Sequence, residues 1–374
     1  MQKTGDQLPV PAEKSWKENR FIHLLITLAT IAAPFIIVAI LINVTLFARD
    51  SEAPRIALVV VSILTGVIGI ALLVISLDRV VDLLPDRWRT TIRPLVFVGP
   101  AVLVLALYKV IPAFNTLYLS FFDERSETWV GFENFQWAFT DPAMLQAFQN
   151  NLLWIILVTS FSVFMGLVIA GLTDRVKFES FFKSIIFLPL AISFVGASVI
   201  WKFMYAFAPA GRPQIGFLNA IVVALGFDPI GWLVTQPLNT YALIVILIWL
   251  QTGFAMVLFS AAIKGVPNEL LEAARIDGAN EIQIFFRVVV PTISTTIATV
   301  TTTILILTLR VFDIVWVMTN GNVGTEVIAS RMMKELFRYR NFGRGSAIAV
   351  ILLLATIPFM YYNIRRFNEE EKLR

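Results

Sequence analysis

The sequence offers few side chains that could take part in chemistry, and the most suitable are polar groups inside apolar segments. Gln251 interrupts a long apolar run, and Phe254 follows three residues later. An amide beside an aromatic ring suits a sugar, because the hydroxyl groups need hydrogen bonds and the CH faces pack on flat apolar surfaces. Alternatively, the Gln251 amide is hydrogen-bonded to a neighbouring helix. The sequence leaves both interpretations open.

Arg310 and Asp313 form the second candidate group, since both lie inside another apolar run. Ionisable residues within a membrane are rare and are functional candidates by default. Their spacing puts both side chains on one helical turn, so that they can neutralise each other. The sequence therefore predicts an intramembrane ion pair, which either holds the helices together or serves as a gate or a substrate contact.

No arrangement suited to covalent catalysis is found. The chain has no cysteine, and its single histidine, His23, stands at the start of the first apolar run. No cluster of His, Cys, Asp and Glu has metal-ligand spacing, and no phosphate-binding loop is present. We therefore expect no catalytic residue, no metal and no cofactor. The pI of about 9.3 reflects Lys and Arg beside apolar runs, so we expect no nucleic-acid partner.

The elements that position these residues are membrane helices. Of the 374 residues, 57% are apolar and only 15% are charged, whereas a soluble protein carries about 25% charged residues. A helix needs roughly 20 apolar residues to cross a bilayer. The sequence predicts an all-α polytopic membrane protein with eight spans, at about 21–47, 56–77, 95–121, 151–172, 182–206, 239–263, 293–318 and 345–364.

The distribution of Lys and Arg sets the expected orientation. With both termini in the cytoplasm, the inner segments hold about twice as many Lys and Arg as the outer ones, as the positive-inside rule requires. The last outer loop, 321–345, is an exception because it is rich in cations. We predict that Glu326–Arg340 forms an amphipathic helix there, with its cations facing water or lipid headgroups.

The inner segment 264–291 has the pattern of two short helices. Pro267 and Asn268 favour a helix start, and Gly278 favours its end. Asn280 can cap a second helix with Gln283 three residues on. A plain connection between two spans could be much shorter. The sequence therefore predicts a helix–turn–helix outside the bilayer that touches a partner.

The same segment carries a family resemblance. Glu272-Ala273-Ala274, then Gly278, then Val288-Val289-Val290-Pro291 resembles the cytoplasmic EAA signature of ABC-importer permeases. The spacing of that signature is complete, and valine replaces its usual Ile and Leu. The resemblance implies that the segment couples the permease to a cytoplasmic ABC ATPase dimer. The residues assigned to this coupling are Glu272, Ala273, Ala274, Asp277, Gly278 and Pro291.

Further segments resemble the sugar-importing members of that family, in particular α-glucoside and oligosaccharide permeases. They include 310–313 and 319–328. The resemblance implies a six-span core at 94–374, with the coupling loop at 264–291, and a cytoplasmic N-terminus with two added spans at 1–93. By position, the family's sugar contacts fall on Leu247, Leu250, Gln251, Phe254, Leu307, Thr308 and Val311, of which Gln251, Phe254 and Thr308 suit a sugar best.

The resemblance also implies partners and a location. They are a second homologous permease, an extracytoplasmic sugar-binding protein, a sugar substrate and the bilayer of a bacterial or archaeal cytoplasmic membrane. ATP hydrolysis would then reside in the ATPase subunit. One alternative is a secondary transporter driven by an ion gradient, for which only Arg310 and Asp313 are suitable titratable groups. A membrane enzyme would need paired acids or a metal set near one membrane face.

Overall fold

The computed structural model describes residues 14–50, 55–174 and 176–373. The regular elements in these ranges are all helical, which confirms the all-α prediction. The chain divides into two compact units, Met1–Ala113 and Phe114–Arg374.

The first unit is built from three long helices. They are α1 (Lys14–Asp50), α2 (Arg55–Val81) and α3 (Asp86–Leu105). α1 packs along α2, and α2 contacts α3. The Arg93 guanidinium donates two hydrogen bonds to Asp78, of 2.9 and 3.1 Å, and these join α3 to α2. α3 continues through one π-helical turn into α4 (Ile111–Leu119).

The second unit contains the remaining helices. In chain order they are α5 (Glu133–Thr140), α6 (Pro142–Thr173), α7 (Glu179–Phe187), α8 (Phe194–Met204), α9 (Phe217–Ala224), α10 (Leu238–Lys264), α11 (Asn268–Ile276), α12 (Glu281–Ile284), α13 (Val290–Thr292), α14 (Ser294–Leu309), α15 (Asp313–Met318), α16 (Ile328–Met333) and α17 (Phe342–Leu373). A 3₁₀ turn, Leu188–Ala191, follows α7, and π-helical turns follow α12 and α16.

Five helical stretches in the described ranges are long and apolar enough to cross a membrane. They are Ile56–Val81, Arg87–Leu119, Pro142–Thr173, Leu238–Lys264 and Phe342–Arg365. Two bent pairs bring the number of candidate spans to seven. These seven correspond to the second to eighth spans predicted from the sequence. The first predicted span, 21–47, lies within α1, whose described apolar part is Ile26–Leu41, and it stays a prediction.

Both bent pairs differ from the straight spans expected from the sequence. The predicted span 182–206 turns by 103° between Ala191 and Phe194. The predicted span 293–318 is broken after Leu309 and resumes as α15 at Asp313, and its first part joins Glu281–Thr292 at a 72° bend. The last part of the loop 264–291 therefore runs directly into the membrane helix α14, with only that bend between them.

The core of the second unit is the packing of α6 against α10. Trp154 on α6 and Leu247 and Phe259 on α10 are almost fully buried. The two backbones approach closely at Gly166, where a Cβ atom would lie 2.5 Å from the Cβ of Ala255. Small residues permit such approaches between membrane helices. α7 and α14 also pack on this pair.

The cation-rich segment after α15 departs from its prediction in the burial of its charged residues. Ile328–Met333 is α-helical and continues into the π-helical turn Lys334–Arg338, so most of the predicted helix is present. Arg338 is exposed as predicted, but Lys334 and Glu335 are buried. Arg331 pairs with Glu335 at 2.8 Å, and Lys334 pairs with Glu326 at 2.6 Å. Burial raises the pKa of the Glu335 carboxyl group, while Arg331 opposes that rise. Buried charges need partners, so these cations face their own carboxylates instead of water or lipid.

Candidate functional site

The EAA segment forms the exposed helix α11. It begins at Asn268 and ends at Ile276, which confirms the helix predicted there. Glu272 and Ala273 are exposed, whereas Leu271 and Ala274 are half-buried against the core. One face of α11 is therefore anchored to the membrane helices. The opposite face is open to a partner.

The turn after α11 is fixed by backbone conformation and by polar contacts. Gly278 has φ +82°, which residues with a side chain rarely adopt. Asn280 and Gln283 form the predicted capping box, with both hydrogen bonds at 2.9 Å. Arg275 Nε lies 3.1 Å from Glu281 Oε1, so an ion pair joins α11 to α12. These contacts fix the angle between the two helices.

The second helix of the loop connects α11 to the transmembrane core. Ile284 and Val289 are buried, and Phe285 packs against Gly171 of α6. The exposed Pro291 lies in α13, just before the bend into α14. The remaining predicted coupling residues, Glu272 and Asp277, are exposed. Across the described residues neither forms an ion pair, which leaves both available to another chain.

A cavity of about 640 Å³ lies between the start of α8, α10, α14 and α15. Its lining residues are Leu190, Ile192, Ser193, Phe194, Val195, Gln251, Phe254, Thr303, Leu307 and Asp313. Gln251 is only 3% exposed, and its amide forms no hydrogen bond within the described ranges. The structure thus brings Gln251, Phe254 and Leu307 to the lining of one cavity, and their contact with a solute stays a prediction. An amide that lines a cavity and has no protein partner there is free to form a hydrogen bond with a bound molecule.

Four other predicted contacts do not line this cavity. The Thr308 side chain is fully buried, and its hydroxyl donates a 2.7 Å hydrogen bond to the Ile304 carbonyl of its own helix. Leu247, Leu250 and Val311 belong to the hydrophobic core. Packing among the helices therefore accounts for all four. The sequence did not single out Ser193 and Thr303, whose hydroxyl-bearing side chains do line the cavity.

The predicted ion pair between Arg310 and Asp313 is not formed. The helix ends at Leu309, and α15 begins only at Asp313, so the three-residue helical spacing no longer brings the two groups together. Arg310 is exposed, while Asp313 lines the cavity. In the part of the chain that the structure describes, no ion pair joins them. Asp313 is therefore a candidate solute contact.

Two adjacent asparagines on α6 hold this break in place. Asn151 donates a 2.9 Å hydrogen bond to the Leu309 carbonyl and accepts a 2.8 Å bond from the Ile328 amide. Asn150 donates to the Gly324 and Glu326 carbonyls at 2.8 and 2.7 Å. The sequence pattern did not point to either asparagine. The signal that could have found them is a pair of amides at the start of an apolar span.

The comparison with family models gives the class of protein. Residues 92–369 match the family described as the inner membrane component of binding-protein-dependent transport systems. The match covers well over half of the chain, and the chain therefore belongs to this family. Its fold is that of an ABC-importer permease.

Individual relatives agree with this assignment. The chain is 63% identical to the osmoprotective compounds uptake permease protein GgtC of Synechocystis sp. over 74% of its length and all of the relative. It is 50% identical to the alpha-glucoside transport system permease protein AglF of Rhizobium meliloti over 76% of this chain and 85% of the relative. A crystal structure of a bacterial ABC transporter that imports the acidic polysaccharide alginate has a TM-score of 0.66 at 20% identity. The match covers 76% of this chain and 99% of the transporter chain. At this level of identity, the likeness shows the fold alone.

Proposed function

We propose that this chain is the membrane-spanning subunit of an ATP-driven importer for a sugar of the oligosaccharide or α-glucoside class. The observation that carries the proposal is the exposed helix α11, anchored on one face and followed by the Gly278 turn. The names of the relatives, one an alpha-glucoside permease, support the substrate class. The chain itself hydrolyses no ATP in this proposal, because a separate cytoplasmic ABC ATPase dimer supplies that activity.

The coupling mechanism follows from the position of α11. The exposed face with Glu272 and Ala273 docks on the ATPase, and closure of the ATPase dimer moves α11 as a rigid body. α11 follows the end of α10 after a short connection, and the capped turn links it to α12. Movement of α11 therefore reaches two membrane helices that line the cavity, α10 and α14.

The proposal includes the remaining partners and the orientation. A sugar-binding protein delivers the solute at the outer face, and a second homologous permease completes the pathway. Both termini lie in the cytoplasm of a bacterial or archaeal cell, which puts loop 264–291 on the ATPase side. Residues 94–374 form the transport core, and 1–93 add a cytoplasmic N-terminus and two spans.

Reconstitution tests this function directly. The complete complex in proteoliposomes should take up sugar only with the loaded binding protein outside and ATP inside. A secondary transporter would behave differently, since its uptake would persist without ATP and would collapse with an uncoupler. That result would reject the proposal.

The same assay tests the cavity. Replacement of Gln251 by leucine removes hydrogen bonds to the sugar at nearly constant volume, and we expect an uptake rate about tenfold lower, since one buried hydrogen bond is worth about 1 kcal/mol and two or more are lost. Thr308→Val is the control, because its hydroxyl bonds only its own helix. We expect that variant to stay within about twofold of the wild type. Equal effects of the two substitutions would show that the cavity does not bind the sugar.

A further inference from the structure

Four charged side chains and a hydroxyl group meet beside the loop 264–291, where α6 and α10 end and α7 begins. This charge cluster consists of Asp174, Glu179, Lys183, Ser260 and Lys264. Lys183 Nζ donates to Asp174, to Ser260 and, at 2.5 Å, to Glu179. Ser260 Oγ donates a 2.7 Å hydrogen bond to Asp174, and Lys264 donates to Glu179. The cluster thus connects the end of α6 to α7 and α10.

The cluster is balanced in charge and partly withdrawn from solvent. Its two carboxylates face two ammonium groups, and Lys183 and Asp174 are only 15% and 10% exposed. Removing one partner of such a pair strands the other charge, so the members stay together when the helices move. Lys183 is central, because it donates to groups at the end of α6, on α7 and on α10.

The charge cluster lies between α11 and the cavity. Lys264 is the last residue of α10, and α11 begins at Asn268. On the other side, α7 runs into the 3₁₀ turn and the 103° bend, where Leu190, Ile192 and Ser193 form one wall of the cavity.

α7 also touches α10 directly, beside the cavity. A Cβ atom on Gly253 would overlap the carbonyl oxygen of Ile186, so the two backbones are in contact there. α7 is therefore held to α10 at two levels, by the charge cluster near the loop and by backbone packing near Gln251. Two attachments along one helix make the pair move as a unit.

We propose that Lys183 is a positioning residue that transmits the movement of α11 to the cavity wall. When the ATPase displaces α11, the end of α10 moves, and Lys183 carries α7 and α6 with it. The residues after α7 then shift relative to Gln251, and the cavity changes shape. This inference rests on the proposed docking of α11 to the ATPase.

Replacing Lys183 in the complete reconstituted complex tests this role. Lys183→Met should leave ATP hydrolysis in place but lower the ratio of sugar transported to ATP hydrolysed at least about fivefold, the lower range of allosteric coupling. Lys183→Arg should restore much of the ratio, because it keeps the cation. Lys202→Met, an exposed lysine on α8, is the matched control and should leave the ratio unchanged.

In the Lys183→Met variant, Asp174 loses its cationic partner, and an unpaired carboxylate there would destabilise the fold. A second variant removes this effect. Asp174→Asn combined with Lys183→Met keeps the cluster neutral while removing the link from α7 to the end of α6, and it should show the same low ratio. A normal ratio of sugar transported to ATP hydrolysed in this double variant would overturn the inference. The same holds if the variants lose thermal stability but keep a normal ratio. Failure of the proposed function looks different, since the wild-type chain would then bind no ATPase.

Discussion

Replacing Gly278 by valine should reduce sugar uptake at least about tenfold while the ATPase remains bound. Gly278 has φ +82°, and a Cβ atom there would meet no neighbour within 4 Å. The cost is therefore conformational, about 1–3 kcal/mol for a side chain in this backbone region. The turn would relieve that cost by reorienting α11 against α12. Uptake and ATP hydrolysis measured in the same proteoliposomes would check this expectation.

Gly211→Val provides the matched control for this substitution. Gly211 has φ +86° and equally open surroundings, but it lies in the loop between α8 and α9. The two substitutions cost similar backbone energy, and only the one at Gly278 should lower uptake. Gly278→Asn should be milder than valine, because asparagine tolerates positive φ. Normal uptake by the Gly278 variant would contradict the coupling role of the turn.

Replacing Gly166 by valine should strongly reduce the amount of folded protein. Its Cβ atom would lie 2.5 Å from the Cβ of Ala255 and 2.9 Å from the Met256 amide nitrogen. α6 and α10 form the centre of the second unit, so they cannot separate without exposing Trp154 and Phe259. Overpacking of a core costs about 1–3 kcal/mol or more. The yield of monodisperse protein and its melting temperature in detergent would measure the loss.

Gly99→Val is the control for the packing argument. Gly99 lies in α3, and a Cβ atom there would meet nothing within 4 Å. We expect its stability to stay within about 0.5 kcal/mol of the wild type, as for most substitutions that meet no close neighbour. If the Gly166 variant melts at the same temperature as the Gly99 variant, the close contact between α6 and α10 is wrong.

The features that sequence analysis predicted well depend on short-range interactions. The start of α11 at Asn268, the turn at Gly278 and the cap at Asn280 each involve residues within four positions of one another. Local preferences decide such features. Most membrane spans were also predictable, because twenty apolar residues in a row have few other solutions.

The features that were missed depend on distant parts of the chain. The helix break after Leu309 is held by Asn151, 158 residues earlier, which also bonds Ile328 at a separation of 177 residues. This break turns Asp313 into a cavity residue and separates it from Arg310. Arg331 is drawn in among carboxylates that include Asp141, 190 residues earlier, at 3.8 Å. Periodicity along the sequence carries no information about such partners.

We infer that α11 lies against an ATPase in the cytoplasm, and a single engineered thiol tests this position. The chain has no cysteine, so Ala273→Cys places one reactive group on the exposed face of α11. We predict that a membrane-impermeant maleimide labels it only in inside-out vesicles, and that bound ATPase blocks the labelling. Labelling from the outer face of intact cells, or full labelling in the assembled complex, would show that α11 does not dock on a cytoplasmic ATPase.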